Sequence, residues 1–430
     1  MKLKTAILAL LSLSAAAQLR ADEKIILINE GSWQVDNGQI TYFENGTVVT
    51  NEWFREVNKT KLGDTPSDII QINDTLLVIS VDGADLIQYI TPECKAAGVT
   101  EFAPAKRKFV SDGKYLYVST YAHECVTAGG KKEFTKGFVA KVDVATLKIL
   151  SAVEVGYEPE GIALYKNRLF VANSGGYSFQ EQHDYETTVS VINPDDMTVI
   201  RTVDTGQPNL YGKIAQSGQY MCISSPGDYY EIPAASVILD CDAVLDGKAD
   251  SECFIKLDFP ATNSATATDG SFYTVGSSYS YITGGFEYVF HTIDPSRLFA
   301  TGGSEGVSEG LPGTVADDFK AMTAPNALYV NPYTGYIYGA DAGDFVDAGY
   351  MYQWSPEGSL LGKHKVYVNP AHFLALPPDG HFGAVDTVVI PENTDNTYYN
   401  LQGMPVATPR EGGLYIHNGK KLIYRAAAVR

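Results

Sequence analysis

Along Val155–Gly176 the chain reads VGYEPEGIALYKNRLFVANSGG: two apolar runs around a polar tip, closed by Asn-Ser-Gly-Gly, with a proline ahead of the first run. Runs of this length and alternation across a tight polar turn predict an antiparallel hairpin. The pattern returns as TPSDIIQINDTLLVIS from Thr65, APAKRKFVSDGKYLYVST from Ala103 and QPNLYGKIAQSGQYMCISS from Gln207. It returns again as FPATNSATATDGSFYTVGSS from Phe259 and APNALYVNPYTGYIYGAD from Ala324. A last copy, NPAHFLALPPDG from Asn369, stops before its second run. The shared prolines are Pro66, Pro104, Pro159, Pro208, Pro260, Pro325 and Pro370.

Between the hairpins lie segments such as GFVAKVDVATLKILSAVEVG and TTVSVINPDDMTVIRTVDTG, two further strands around an Asp/Asn-centred turn. Four strands every 38 to 65 residues is the signature of a propeller blade. The ends agree with this. KIILINEGSW matches the second-run pattern that the last copy lacks, and GQITYF and TVVTNEWF supply third and fourth strands. The first and last segments are therefore expected to share one blade and leave no open sheet edge. The prediction is an all-β chain: a seven-bladed β-propeller over residues 22–376, closed by its N- and C-terminal strands. A short β-rich tail follows over 377–430, with its own hairpin-like pattern in YYNLQGMPVATPREGGLYIHNGKKLIYR.

Composition narrows the function classes. Hydrophobic residues make up 45% and charged residues 19%, enough apolar material for a large core. Forty Gly and 28 Tyr suit turn-rich β-structure. A net charge of −19 argues against nucleic acid or an anionic membrane as partner. Residues 1–21 read as a signal peptide, with MKLK ahead of TAILALLSLSAAA and cleavage after Ala17 or Ala21. The expected location is thus exported: periplasm, cell surface or extracellular, with no transmembrane helix. Of five cysteines, Cys94 with Cys125 and Cys241 with Cys253 are candidate disulfides, and Cys222, inside YMCISS, is expected to be a buried thiol.

In a propeller the loop entering each inner strand and the loop leaving each second strand open on one face. The entering loops carry Asp68, Lys106, Arg107, Glu160, Asn209, Tyr211, Asn263, Asn326 and His372. The exit loops are aromatic, with Trp33, Tyr121, His123, Tyr177, Phe179, His183, Tyr185, Tyr229, Tyr230, Tyr279, Tyr281, Phe286, Phe345 and Tyr350. An aromatic face rimmed by amides and charges suits a large, flat ligand. The candidate ligand-binding residues are Trp33, Asp68, Arg107, Tyr121, Glu160, Tyr177, Asn209, Tyr211, Tyr229, Asn263, Tyr279, Asn326 and His372. No nucleophile elbow, zinc-type cluster or glycine-rich phosphate loop is present, so no catalytic or metal residue is assigned. The acidic DGKADSE after Cys241 lacks the spacing of a calcium loop and reads as a solvated loop.

VDVATLKILSAVEVGYEPEGIALYKNRLFVANSGG resembles the YVTN-type repeats of surface-layer and YncE-like propellers. ILINEGSW, GQITYF and KLGDTPSDI resemble the exported YncE-like propellers of Bacteroidetes, a group that includes cell-surface vitamin B12-binding propellers working beside a TonB-dependent outer-membrane transporter. The likeness spans about Lys24 to Leu376 and implies a corrinoid ligand on the open face, with no cofactor required. The chain departs from those members in having no lipoprotein cysteine after the signal. Three functions follow for testing: a non-enzymatic binding propeller, a surface-layer or protein-interaction scaffold, and a metal-dependent lactonase-like hydrolase.

Overall fold

A computed structural model describes residues 23–101, 106–121, 126–128, 131–133, 135–176, 183–228, 231–280, 285–378 and 380, together with short strands at 398–399, 405–406, 414–417 and 420–423. The chain divides into two compact units, Met1–Val385 and Asp386–Arg430. In the second, four short strands pair in the order Pro405–Val406, Tyr398–Tyr399, Leu414–His417, Lys420–Ile423.

The first unit is a seven-bladed propeller. Blade 1 joins the two ends of the repeat region, its sheet running Thr47–Thr50, Gln39–Glu44, Lys24–Asn29, Pro370–Leu376 from rim to centre. Ile25 pairs with Ala375, Leu27 with Phe373 and Ile28 with His372, so the ring closes as the terminal segments predict. The other inner strands are Pro66–Asn73, Lys106–Ser111, Pro159–Tyr165, Tyr211–Ser217, Asn263–Thr266 and Pro325–Val330, in blades 2 to 7. Each touches the next, and Pro370–Leu376 touches Pro66–Asn73.

The core is a ring of wedges, one apolar cluster at each blade-to-blade interface. Parity along a strand decides which neighbour a side chain meets. Ile26 and Ile28 pack toward blade 2, while Ile25 and Leu27 pack toward blade 7. Strands buried on both faces therefore read as unbroken apolar runs, as KIILIN does. Outer strands meet water on one side and leave Ile149, Leu150, Val199 and Ile200 exposed.

The repeated prolines have a packing reason. Gly137, opening the third strand of blade 3, lies under Pro159 of blade 4, where a Cβ would come within 2.2 Å of the ring. Gly38 faces Pro66 and Gly349 faces Pro370 in the same way. A flat ring on a residue without a side chain lets neighbouring blades close up at the channel. The residue before the proline takes a left-handed φ at Thr65, Glu158 and Asn369, and its carbonyl accepts an N–H from the exit loop: Asp82, Ser174 and Glu30 respectively.

The cysteines correct one expectation. Cys241 and Cys253 are both buried free thiols, as are Cys94 and Cys222; Cys125 lies outside the described residues. Between the first pair Asp240 caps a short helix that starts at Cys241, and the Cys253 thiol bonds the carbonyl of Ala249 at 3.3 Å. The acidic stretch is a solvated loop, with residues 246–249, Ser251 and Glu252 exposed, and Asp250 anchors it to Arg201 at 2.7 Å. Burial pushes the Cys222 thiol up to about 12.

Candidate functional site

Six of the seven inner strands begin with a break in register against their second strand: between Pro66 and Asp68, Lys106 and Phe109, Pro159 and Ile162, Tyr211 and Ala215, Pro325 and Ala327, and His372 and Pro370. Blade 6 pairs straight, Asn263 with Val275. A bulge re-aims one or two side chains out of the ladder. Here those residues include Arg107, Lys108, Glu160 and Lys213, while Asp68, paired with Ser80, directly follows the break in its own strand.

They meet at the channel mouth. Lys213 of blade 5 reaches Asp68 of blade 2 at 3.2 Å. Three places apart is as far as two blades of seven can be, so this contact crosses the channel. Asp68 is fully buried and also accepts the Phe109 N–H at 3.1 Å. Burial pushes its carboxyl up, but Lys213, Lys108, His372 and that N–H outweigh it and hold it below the usual carboxylate value. Lys108 donates to the Ser67 carbonyl at 2.8 Å, and burial lowers the affinity of its amine for a proton.

Beside it Arg107 pairs with the buried Glu160 at 3.1 Å and lies 4.9 Å over the Tyr121 ring. The Tyr121 hydroxyl donates to the same carboxylate. Burial works against the charge on Arg107, yet Glu160, Tyr211 and Asp82 raise it above its ordinary value. Blade 1 adds His372 bonded to Glu30 at 2.9 Å. Burial and then Lys108 push the imidazole below its ordinary value despite Glu30. Burial raises Glu30, but His372, Lys108 and Arg107 bring the net shift down. His183 lies 3.1 Å from the buried Glu158 and stacks on Tyr157.

The remaining candidates divide. Tyr211 is exposed beside Arg107. Asn209 is buried, and its Oδ1 accepts no hydrogen bond from a described residue. Asn326 donates to Asn369 Oδ1 and the Pro370 carbonyl, both at 3.0 Å. Asn263 begins the straight strand of blade 6. Lys106 is wholly buried and its charge faces Asp82 and Asp85, so it offers nothing to a ligand. Trp33 is 64% exposed on the loop after Asn29. Phe345 is exposed on the blade 7 exit loop, but Tyr350 belongs to the third strand of that blade, opposite Asp341. Phe286 also lies in a third strand, and Tyr279 in a second strand, rather than in loops. Tyr177, Phe179, Tyr229, Tyr230, Tyr281 and His123 lie outside the described residues, as do the side chains of Tyr279 and Phe286.

Lys213, Lys108 and Glu30 are the site residues that sequence reasoning missed. Lys108 stood in the run Lys106-Arg107-Lys108. Strict alternation would aim Lys106 and Lys108 the same way, and only the bulge sets them apart. Among the described residues no three His, Cys, Asp or Glu gather to hold a metal ion. The carboxylates at the mouth are each tied to a basic side chain.

No protein-family model and no curated protein matches the chain. Among solved structures it is similar to hydrazine synthase of Kuenenia stuttgartiensis, with TM-score 0.53 and 13% identity over 73% of this chain and 93% of that one. It is also similar to a functionally unknown protein from Desulfotomaculum acetoxidans, with TM-score 0.52 and 12% identity over 83% of this chain and 99% of that one. These likenesses bear on the fold alone, a β-propeller.

Proposed function

We propose that the chain is an exported, non-enzymatic binding propeller that holds a small polar molecule at the channel mouth. The observation that carries this reading is the Lys213–Asp68 contact across the channel, with Arg107, Tyr211 and His372 around it. Buried ion pairs are poor stabilisers, because desolvation offsets their attraction. A mouth built only for stability would be closed by apolar side chains. Instead the Lys213 side chain is 56% exposed and held in place by a buried carboxylate, a preorganised donor for a ligand's carboxylate, phosphate or amide oxygen.

The named ligand is a corrinoid, whose amides and phosphate match these donors and the acceptor of Asn209. The YncE-like resemblance supports that choice, and a TonB-dependent transporter would be the partner. Calorimetry and visible spectra with cobalamin and cobinamide test it. Micromolar or tighter binding, weakened at least about tenfold by Arg107→Ala with Lys213→Ala, is the expected result. No binding by either corrinoid removes the ligand assignment.

The scaffold reading rests on a different observation, the apolar pairs Ile149–Leu150 and Val199–Ile200 exposed on the outer edges of blades 3 and 4. Changing these four to Thr would then abolish recovery of a specific envelope partner while leaving corrinoid titrations unmoved.

A further inference from the structure

We propose that a cleft on the face opposite the mouth, between blades 1 and 2, is a second binding site, for a neutral pyranose sugar. The cavity measures about 320 Å³ and is lined by Lys24, Tyr42, Trp53, Gln71, Asp74 and Glu93, with prolines at its edge. Its position follows from the register: Lys24 pairs with Leu376, at the far end of the closing strands from Asn29 and Pro370. Asp74 and Glu93 stand on the turns of blade 2 that face the same way. The volume lies at the lower end of the range of small-molecule sites.

The chemistry of the lining selects the ligand. Tyr42 and Trp53 stack at 4.3 Å with planes 18° apart, giving the cleft a firm aromatic wall suited to the C–H face of a sugar ring. Gln71 is only 7% exposed; its amide nitrogen donates to the Asn73 carbonyl at 3.1 Å, while Oε1 accepts nothing from a described residue. Such an oxygen is costly to bury unless a donor meets it, and a ligand hydroxyl is such a donor. Asp74 and Glu93 add acceptors, Glu93 being oriented by the Thr91 hydroxyl at 2.8 Å, and Lys24 adds a donor. Mixed charge in the lining disfavours a cationic or anionic ligand. A polyol, whose hydroxyls both donate and accept, satisfies both kinds of group at once.

The site is independent of the mouth, and the experiment separates them. Titration calorimetry of the full chain with D-glucose, D-galactose, D-mannose and N-acetylglucosamine should give saturable millimolar or tighter binding of at least one. Gln71→Met should raise that Kd at least about tenfold with the melting temperature held, whereas Lys213→Ala should leave it unchanged. As a second readout, the binding sugar should shift tryptophan emission in the native chain but not in Trp53→Phe. The proposal is overturned if none of the four sugars binds, if Gln71→Met binds like the native chain, or if Lys213→Ala rather than Gln71→Met removes binding.

Discussion

Blades 1 to 5 and blades 6 and 7 build the same ring from the same hairpin, yet they line its mouth differently. The first arc brings in Glu30, His372, Asp68, Arg107, Lys108, Glu160 and Lys213, all linked by charge. The second brings in Asn263 and Asn326. Blade packing is alike in both arcs, since each interface has its own apolar cluster. The contrast separates two tasks of the inner strand. Apolar residues deep in the strand hold the ring, and residues at its entrance are free to vary in chemistry. Where charges gather in a low-dielectric place, each depends on its neighbours, so the charged arc should respond to substitution as a network and the neutral arc as single bonds.

The largest effect is expected at Asp68. Asp68→Ala leaves Lys108 and Lys213 without their shared carboxylate and the Phe109 N–H without an acceptor. Removing one side of a buried pair costs about 3–5 kcal/mol, and the partial exposure of Lys213 places this case at the lower end. Urea unfolding measures it. A loss below about 1 kcal/mol would mean that the mouth is solvated and the two arcs do not differ in kind.

Acid sharpens the same contrast. Burial and Lys108 hold His372 below its ordinary value in the fold, so the unfolded chain takes up the proton first. Stability tied to this group is complete above about pH 6.5 and falls as the pH drops below it. Asp68 and Glu30 have depressed values, so their contribution is present above about pH 4 and is lost as pH falls through their folded values. His291, in blade 6 against Phe259, shifts the same way as His372 and supplies a background slope. The urea midpoint should therefore decline from pH 7.5 to 6.0, and His372→Asn should flatten that segment. An unchanged slope in the variant would detach His372 from the network.

Much of this architecture was legible in the chain. The proline-led hairpins gave the blade count, and the mismatch between NPAHFLAL and KIILIN gave the closure, because both depend on local periodicity. Asp68, Arg107, Glu160 and His372 could be placed at the mouth for the same reason. The bulges could not be read, because a shift in register depends on which partner carbonyl an N–H finds. That hid the roles of Lys108 and Lys213 and made Lys106 look available when it is sealed between blades. Tyr350 misled differently: aromatic residues populate strands and loops alike, and only pairing with Asp341 places it in a sheet. The cleft near Trp53 had no signal in the repeat, since its walls come from turns and a helix that vary between blades.

Two asparagines provide the finest test of the neutral arc. Asn326 holds blade 7 to blade 1 through Asn369 and Pro370, whereas the Asn263 side chain makes no hydrogen bond to a described residue. Asn326→Ala should cost about 1 kcal/mol, the usual net worth of such bonds when the partners keep other contacts. Asn263→Ala should stay within about 0.5 kcal/mol, as for positions without special contacts. Because neither side chain directly contacts a charged side chain of the other arc, their effects should add to each other and to that of Asp68→Ala within about 0.5 kcal/mol. A double mutant of Asn326 and Asp68 that departs clearly from the sum would show that the arcs communicate through Asn369 and Glu30, which are themselves bonded at 2.9 Å. The neutral side would then belong to the network, and the mouth would have to be treated as one ring of interactions.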